Sequence, residues 1–169
     1  GNLAALGDFA AFGDITAGTG LTVTSGNVSV GGYVEQHGIF AEIYVAGAST
    51  SQDIAKEVYV KSTAFTTDGE NSNCTSDATN DKIIFTKSGK YRVTVSCCAL
   101  AGTANLVWEG MAFLNGVGQT NLHWKRKFAT TTDVGNVGLD GFLDVTSVPV
   151  DLDLRIQRDD TGTRGFTIE

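Results

Sequence analysis

Apolar and polar residues alternate along most of the chain from residue 39 to residue 168, the pattern of β-strands with one buried face. The clearest case is Lys90–Leu100, whose odd-numbered positions are mostly apolar and whose even-numbered positions are polar up to Ser96. The two faces are Tyr91, Val93, Val95 and Cys97 against Arg92, Thr94 and Ser96. We therefore expect this strand to place one face in a core and the other in solvent.

The same pattern predicts about eight to ten strands and no helix of useful length. The expected strands are Ile39–Val45, Ile54–Lys61, Lys82–Lys87, Lys90–Leu100, Val107–Leu114, Leu122–Phe128, Val137–Val145, Leu152–Gln157 and Phe166–Ile168. Their short, regular spacing is typical of a sandwich. The predicted fold is all-β, a jelly-roll β-sandwich.

Turn residues divide these strands. Ser88-Gly89 predicts a tight turn between two strands, and Asn115-Gly116 predicts a hairpin because both residues tolerate a positive φ angle. The turn Asp159–Gly162 precedes the last strand. Thr66–Asn80 is polar throughout apart from Cys74 and Ala78, so we expect a mobile, exposed loop there.

The first residues differ from the rest, since residues 1–32 contain no Lys or Arg and are rich in Gly, Ala and Thr. A short unit recurs after six residues, as Ala5–Phe9 and then Ala11–Ile15. Such glycine-separated apolar pairs cannot bury themselves alone, so they either stack on neighbouring chains or lie as an arm on another surface. We predict an arm at residues 1–32 and a sandwich domain at residues 33–169.

Composition and charge exclude several classes of function. Apolar residues make up 41% of the chain and charged residues 18%, with a net charge of −7. This charge argues against nucleic acid, which requires clustered Lys and Arg. The one basic run, Lys125–Lys127, alternates as a strand would and is either a solvated face or a patch for an anionic partner. No apolar run is long enough to span a membrane, so no membrane partner is expected.

Candidate chemistry is sparse. His37 and His123 lie in no nucleophile or metal motif, and no phosphate-binding loop precedes a helix. The three cysteines, Cys74, Cys97 and Cys98, suit reduced thiols rather than a disulfide framework. We expect no enzymatic activity and no cofactor. The carboxylates of Asp151, Asp153, Asp159 and Asp160 are either solvated charge or ligands for Ca²⁺.

Large apolar side chains exceed what one small sandwich normally hides. The predicted strand Val107–Leu114 is apolar on both faces, so its second face is covered either by another subunit or by a loop or the arm. The subunit contact is the favoured interpretation. The interface candidates are Tyr44, Trp108, Phe113, Trp124 and Phe142.

Four segments of the chain resemble C1q/TNF-like jelly rolls. Ile83–Val95 contains Gly89-Lys90-Tyr91-Arg92-Val93, which resembles the family's G-x-Y-x-V strand, and Met111–Gly116 resembles its Asn-Gly hairpin. Val137–Val145 and Val150–Ile156 resemble its late pair of strands. Pro149-Val150-Asp151 departs from the pattern, because many members have Gly-Asp before the last of these strands. The layout is similar to C1q-like domains of phage virion proteins.

This resemblance implies a homotrimer whose three-fold axis is lined by aromatic and aliphatic side chains. The arm resembles attachment segments of phage fibres and decoration proteins, which implies anchoring to a particle through Leu6, Phe9, Phe12 and Ile15. The expected function is a structural protein of the virion surface, assembled in the host cytoplasm. It would decorate or cement the capsid by contacting the major capsid protein or another virion protein. The alternative is a tail-fibre knob that recognises a host surface glycan.

Overall fold

The computed structural model of the protein describes residues 38–47, 51–159 and 164–168. These residues form β-strands, with one short 3-10 turn at Ala78–Asn80. The strands are β1 (Phe40–Tyr44), β2 (Gln52–Ile54), β3 (Val60–Lys61), β4 (Thr67–Ser72), β5 (Cys74–Asp77), β6 (Lys82–Phe85), β7 (Gly89–Ala101), β8 (Leu106–Leu114), β9 (Val117–Phe128), β10 (Val134–Val145), β11 (Val150–Arg158) and β12 (Arg164–Ile168). No helix in this described part is long and apolar enough to cross a bilayer.

Two antiparallel sheets form the sandwich. The first sheet has the strand order β10-β7-β12-β2, and the second has the order β5-β6-β11-β8-β9, with β3 also paired to β11. A separate ribbon consists of β1 and β4. Chain-neighbouring strands repeatedly fall in opposite sheets, as a jelly roll requires. The predicted all-β jelly-roll sandwich is confirmed, whereas the arm at residues 1–32 lies outside the described residues.

The alternation predicted for β7 is confirmed. Tyr91 and Val93 are buried, and Arg92 and Thr94 are exposed. Tyr91 lies against Phe85 of the second sheet, with ring centroids 4.3 Å apart. This aromatic pair joins the two inner faces at one end of the sandwich.

The other end of the core is an aromatic cluster around Phe166. Trp108 and Trp124 lie 4.7 and 6.1 Å from the Phe166 ring centroid, and Phe128 lies 6.1 Å from it. All four side chains are buried. Because Phe166 belongs to the first sheet and the other three to the second, the cluster holds the five-residue strand β12 against the opposite sheet.

The Asn115-Gly116 hairpin is also confirmed. Strands β8 and β9 pair in antiparallel register on either side of it, and Asn115 and Gly116 have φ angles of 48° and 78°. Gly110 is paired opposite Trp124, and a Cβ atom at Gly110 would overlap the Trp124 indole. The absence of a side chain at this position therefore makes room for the tryptophan in the core.

Three expectations were wrong in detail. Thr66–Asn80 is not a loop, because it contains β4, which pairs with β1, and β5, which pairs with β6. Ile54–Lys61 is not one strand but contains the end of β2 and all of β3. The turn at Ser88-Gly89 does not join paired strands, since β6 lies in the second sheet and β7 in the first.

Replacing Gly110 should test the packing of this core. We expect Gly110→Ala to lower the free energy of unfolding by about 1–3 kcal/mol, because an inserted methyl group overpacks the site. Gly38→Ala is the matched control, since a Cβ there meets only an ordinary contact 3.5 Å away. Equal thermal midpoints for the two variants would contradict the packing described.

Candidate subunit interface

The five interface candidates divide into buried and exposed residues. Trp108 is 0% exposed and Trp124 is 7% exposed within the single chain. The prediction that these two side chains contact a second subunit is wrong, because the Phe166 cluster already buries them. Phe142 and Tyr44 are 70% and 43% exposed, so they retain apolar surface for a partner.

Phe142 lies on the outer face of the first sheet between two cross-strand ion pairs. Lys90 Nζ is 2.7 Å from Asp144 Oδ1, and Arg92 donates to both carboxylate oxygens of Asp140 at 3.0 and 2.9 Å. The phenylalanine is directly opposite Arg92 in the β7–β10 ladder. The result is an exposed aromatic ring framed by charge, the arrangement of an apolar anchor with a polar rim.

The charged frame is held in a defined geometry. Thr94 Oγ1 donates a 2.7 Å hydrogen bond to the same Asp140 carboxylate that receives the Arg92 fork. The Arg92 guanidinium, followed by the Thr94 hydroxyl, lowers the pKa of Asp140 to about 2. Asp140 is therefore ionised at any physiological pH, and its two partners orient it beside Phe142.

A second exposed aromatic surface lies on β1. Phe40 is 51% exposed and Tyr44 is 43% exposed, and both occupy positions of the strand that alternate with the half-buried Ala41 and Ile43. Sequence reasoning selected Tyr44 but not Phe40. The period of two along Phe40, Glu42 and Tyr44 is the signal that places both aromatic rings on the outer face.

Phe113 lies on the outer face of the second sheet and is half-buried by its own chain. The Arg155 guanidinium carbon is 4.4 Å from the centroid of the Phe113 ring, and the Tyr59 ring is 5.3 Å away. Arg155 is itself held by Asp153 at 2.7 Å. The outer face of β8 is thus partly covered by Tyr59 from a loop and by Arg155 from the neighbouring strand β11. Cover by a loop was the alternative to a subunit contact.

Glu109 forms the centre of a polar cluster on this same face. Its carboxylate accepts hydrogen bonds from Gln157 Nε2 at 2.8 Å and Tyr59 Oη at 3.3 Å, and it also contacts Lys125 and His123. The pKa of Glu109 is lowered to about 2, chiefly by its hydrogen bond with the Lys125 ammonium. Burial and the Glu109 charge raise the pKa of Tyr59 to about 12. These groups satisfy one another, so the cluster is a structural network rather than a set of free acids and bases.

The basic run Lys125–Lys127 and the acidic residue Asp151 lie on strands, where they are exposed to solvent or paired with neighbouring groups. Lys125 and Lys127 are on the exposed face of β9, while Arg126 turns inward and donates to the Asn136 carbonyl at 3.0 Å. Asp151 pairs with Lys82 at 2.9 Å. Within the described ranges, no three His, Cys, Asp or Glu side chains converge on a point where a metal ion could bind.

The pH dependence of stability should report on the Glu109 cluster. The pKa of Glu109 is lower in the folded chain than its ordinary 4.5, so the unfolded chain binds more protons between about pH 2 and pH 4.5. This contribution is complete above about pH 4.5 and is lost as the pH falls toward 2. Its size is reduced by solvent around Lys125, whose side chain is exposed.

We expect Glu109→Gln to flatten the fall in thermal midpoint between pH 5 and pH 2.5. Asp144→Asn is the control, because its ion pair with Lys90 is exposed on both sides and exposed pairs contribute little. If Glu109→Gln keeps the wild-type pH profile, the assignment of the cluster as a stabilising network is wrong.

The anchoring candidates Leu6, Phe9, Phe12 and Ile15 and the turn residues 160–163 lie outside the described residues. Comparison with protein-family models found no matching family, and comparison with curated proteins found no match.

Proposed function

We propose that this protein is a non-enzymatic structural component of a phage particle, a homotrimer that decorates or cements the capsid. Its jelly-roll domain projects from the surface, and its N-terminal arm contacts the major capsid protein or another virion protein. Assembly takes place in the host cytoplasm, where reduced thiols are normal. The surface of one sheet provides the contact between subunits.

The exposure of Phe142 is the observation that carries this proposal. Phe142 is 70% exposed on the outer face of the edge strand β10, and covering its ring with apolar surface of a partner would be favourable. Aromatic residues framed by charged ones are typical energetic centres of protein interfaces. Lys90, Asp144, Arg92 and Asp140 place charges of both signs around the Phe142 ring, a polar rim that charged groups on a neighbouring subunit could pair with.

The positions of the resembling segments also support the proposal. Ile83–Val95 contributes β6 and the start of β7, and Met111–Gly116 contributes the end of β8 and its hairpin turn. Val137–Val145 lies within β10, and Val150–Ile156 lies within β11. Each of these segments therefore lies on a strand of the sandwich or at a turn between strands.

The trimer contact can be tested at Phe142. We expect Phe142→Ser to convert the trimer to monomers in sedimentation velocity, at protein concentrations where the wild type remains trimeric. Val117→Ser, which removes a similarly exposed apolar side chain beside the β8–β9 turn, should remain trimeric. Identical sedimentation of the two variants would show that the outer face of the first sheet is not the contact.

The anchor can be tested in the arm. The triple variant Leu6→Asp, Phe9→Asp and Phe12→Asp should reduce attachment to particles at least tenfold, because avidity multiplies the loss over three arms. The matched control adds the same charges at polar positions, Thr16→Asp, Thr19→Asp and Thr22→Asp. Attachment measured by co-sedimentation with particles should persist in the control. Undiminished attachment of the apolar-site variant would refute the anchor.

A second candidate function is a tail-fibre knob that recognises a host surface glycan. A shallow cavity of about 320 Å³ places Tyr44 beside Glu42, Asp68, Glu70 and Asn71. An aromatic ring next to hydrogen-bonding carboxylate and amide groups suits a sugar, whose faces are apolar and whose edges are polar. Copy number on the particle separates the two functions, since hundreds of copies indicate decoration and a few tens indicate a fibre.

A further inference from the structure

The turn between β8 and β9 contains two groups that can react with each other. Asn115 and Gly116 are the residues that join these strands, and both are exposed. Their φ angles of 48° and 78° place both in the left-handed region. The side-chain carbonyl carbon of Asn115, Cγ, and the backbone nitrogen of Gly116 would close a five-membered ring if they joined. We call these two atoms the reactive pair.

Hydrogen bonds fix one side of this turn and leave the reactive pair unrestrained. The Asn115 N–H donates to the Asp151 carbonyl at 2.8 Å, which holds the start of the turn. In the part of the chain that the structure describes, neither the Asn115 side-chain amide nor the Gly116 N–H takes part in a hydrogen bond. Ring closure therefore breaks no hydrogen bond of either group, and solvent reaches both of them.

Glycine is the residue that most favours such a ring closure when it follows an asparagine. A side chain at that position shields the attacking nitrogen and restricts the rotations that bring it to the carbonyl carbon. Gly116 imposes neither restriction, because it lacks a Cβ atom and adopts a wide range of φ and ψ angles. Of all the asparagines in the sequence, Asn115 alone is followed by glycine.

Asn105, directly before β8, provides a matched comparison. It is exposed, has a φ angle of 60° and donates its N–H to the Phe128 carbonyl at 2.8 Å. Asn105 and Asn115 thus share their backbone conformation, their exposure and the kind of hydrogen bond that holds their N–H. They differ in the next residue, because Asn105 precedes Leu106, the half-buried first residue of β8.

Side-chain hydrogen bonds restrain several other asparagines. Asn121 Nδ2 donates to the Phe142 carbonyl at 2.7 Å, and Asn136 Oδ1 accepts from Cys98 Sγ at 3.1 Å. Asn80 Nδ2 donates to the Asp77 carboxylate at 3.0 Å. An amide held in this way must lose its hydrogen bond before its carbonyl carbon can be attacked. The β8–β9 turn therefore differs from these sites both in the residue that follows and in the freedom of the amide.

We propose that Asn115 is a site of spontaneous covalent modification, at which the folded chain converts asparagine to aspartate and isoaspartate. The Gly116 nitrogen gives up its proton and forms a bond to Asn115 Cγ. The bond from Cγ to the amide nitrogen breaks, and ammonia leaves with that proton. Water then opens the cyclic imide at either of its two carbonyl carbons, which gives aspartate or isoaspartate. The net change is the uptake of one water and the release of one ammonia.

The products change the turn in charge and in length. Both carry a carboxylate, so each conversion adds a negative charge to a chain whose net charge is already −7. Isoaspartate routes the main chain through its Cβ atom, which lengthens the connection between the paired residues Leu114 and Val117. Short hairpin turns require a defined backbone geometry, so this product weakens the pairing at that end of β8 and β9. The inference does not depend on the proposed function, since it concerns the isolated protein.

Incubation of the full chain in mildly alkaline buffer tests the proposal. Peptide mapping by mass spectrometry should show a gain of about one dalton at Asn115, roughly tenfold or more faster than at Asn105 in the same sample. The rate should rise with pH, because the attacking nitrogen must lose its proton. The variant Gly116→Ala should slow the conversion roughly fivefold or more, because a Cβ atom hinders the nitrogen.

The nature of the product identifies the reaction. Direct hydrolysis of the side-chain amide gives aspartate alone, whereas the cyclic imide gives both products, so isoaspartate at position 115 supports ring closure. Equal rates at Asn115 and Asn105, an absence of isoaspartate, or conversion at Asn115 only after denaturation would overturn the proposal. Gly116→Ala places a side chain at a positive φ angle, so circular dichroism should first show that the variant is folded. If it is not, the comparison of Asn115 with Asn105 in the unmodified chain decides.

Discussion

The contact between the inner faces of the two sheets is the constraint on which the rest of the molecule depends. Phe166 on the short strand β12 packs among Trp108, Trp124 and Phe128, and Tyr91 packs on Phe85 at the other end. Once these side chains are enclosed, the period of two along each strand decides which residues remain outside. The exposure of Phe142 on β10 is a direct consequence of the burial of Leu139, Leu143 and Val145 on the same strand.

Local patterns predicted the strands well where one face is clearly apolar. The alternation along β7 and the Asn115-Gly116 turn between β8 and β9 are short-range signals, and both were confirmed. The prediction failed for Thr66–Asn80 because its strands depend on pairing partners outside the segment, β1 well before it and β6 directly after it. The edges of β1 and β6 supply the hydrogen bonds that this polar segment needs, and Cys74 and Ser76 turn inward there. No property of the segment alone reveals those edges.

The candidate interface was harder to predict than the fold. The content of aromatic residues indicated that some large side chains would need cover, but not which ones. Trp108 and Trp124 are buried against Phe166, a residue more than forty positions away from them in the sequence. Phe113 is partly covered by Arg155 and Tyr59. Only the three-dimensional arrangement separates these residues from Phe142, whose neighbours on the sheet are charged and leave its ring open.

The central claim is that the exposed surface of the first sheet is closed by sister chains in a trimer. The mass of the full chain in solution, measured by native mass spectrometry or light scattering at micromolar concentration, tests this claim most directly. A single species at three times the 17.7 kDa chain mass is the predicted result. A stable, soluble species at 17.7 kDa over the same concentration range would contradict it.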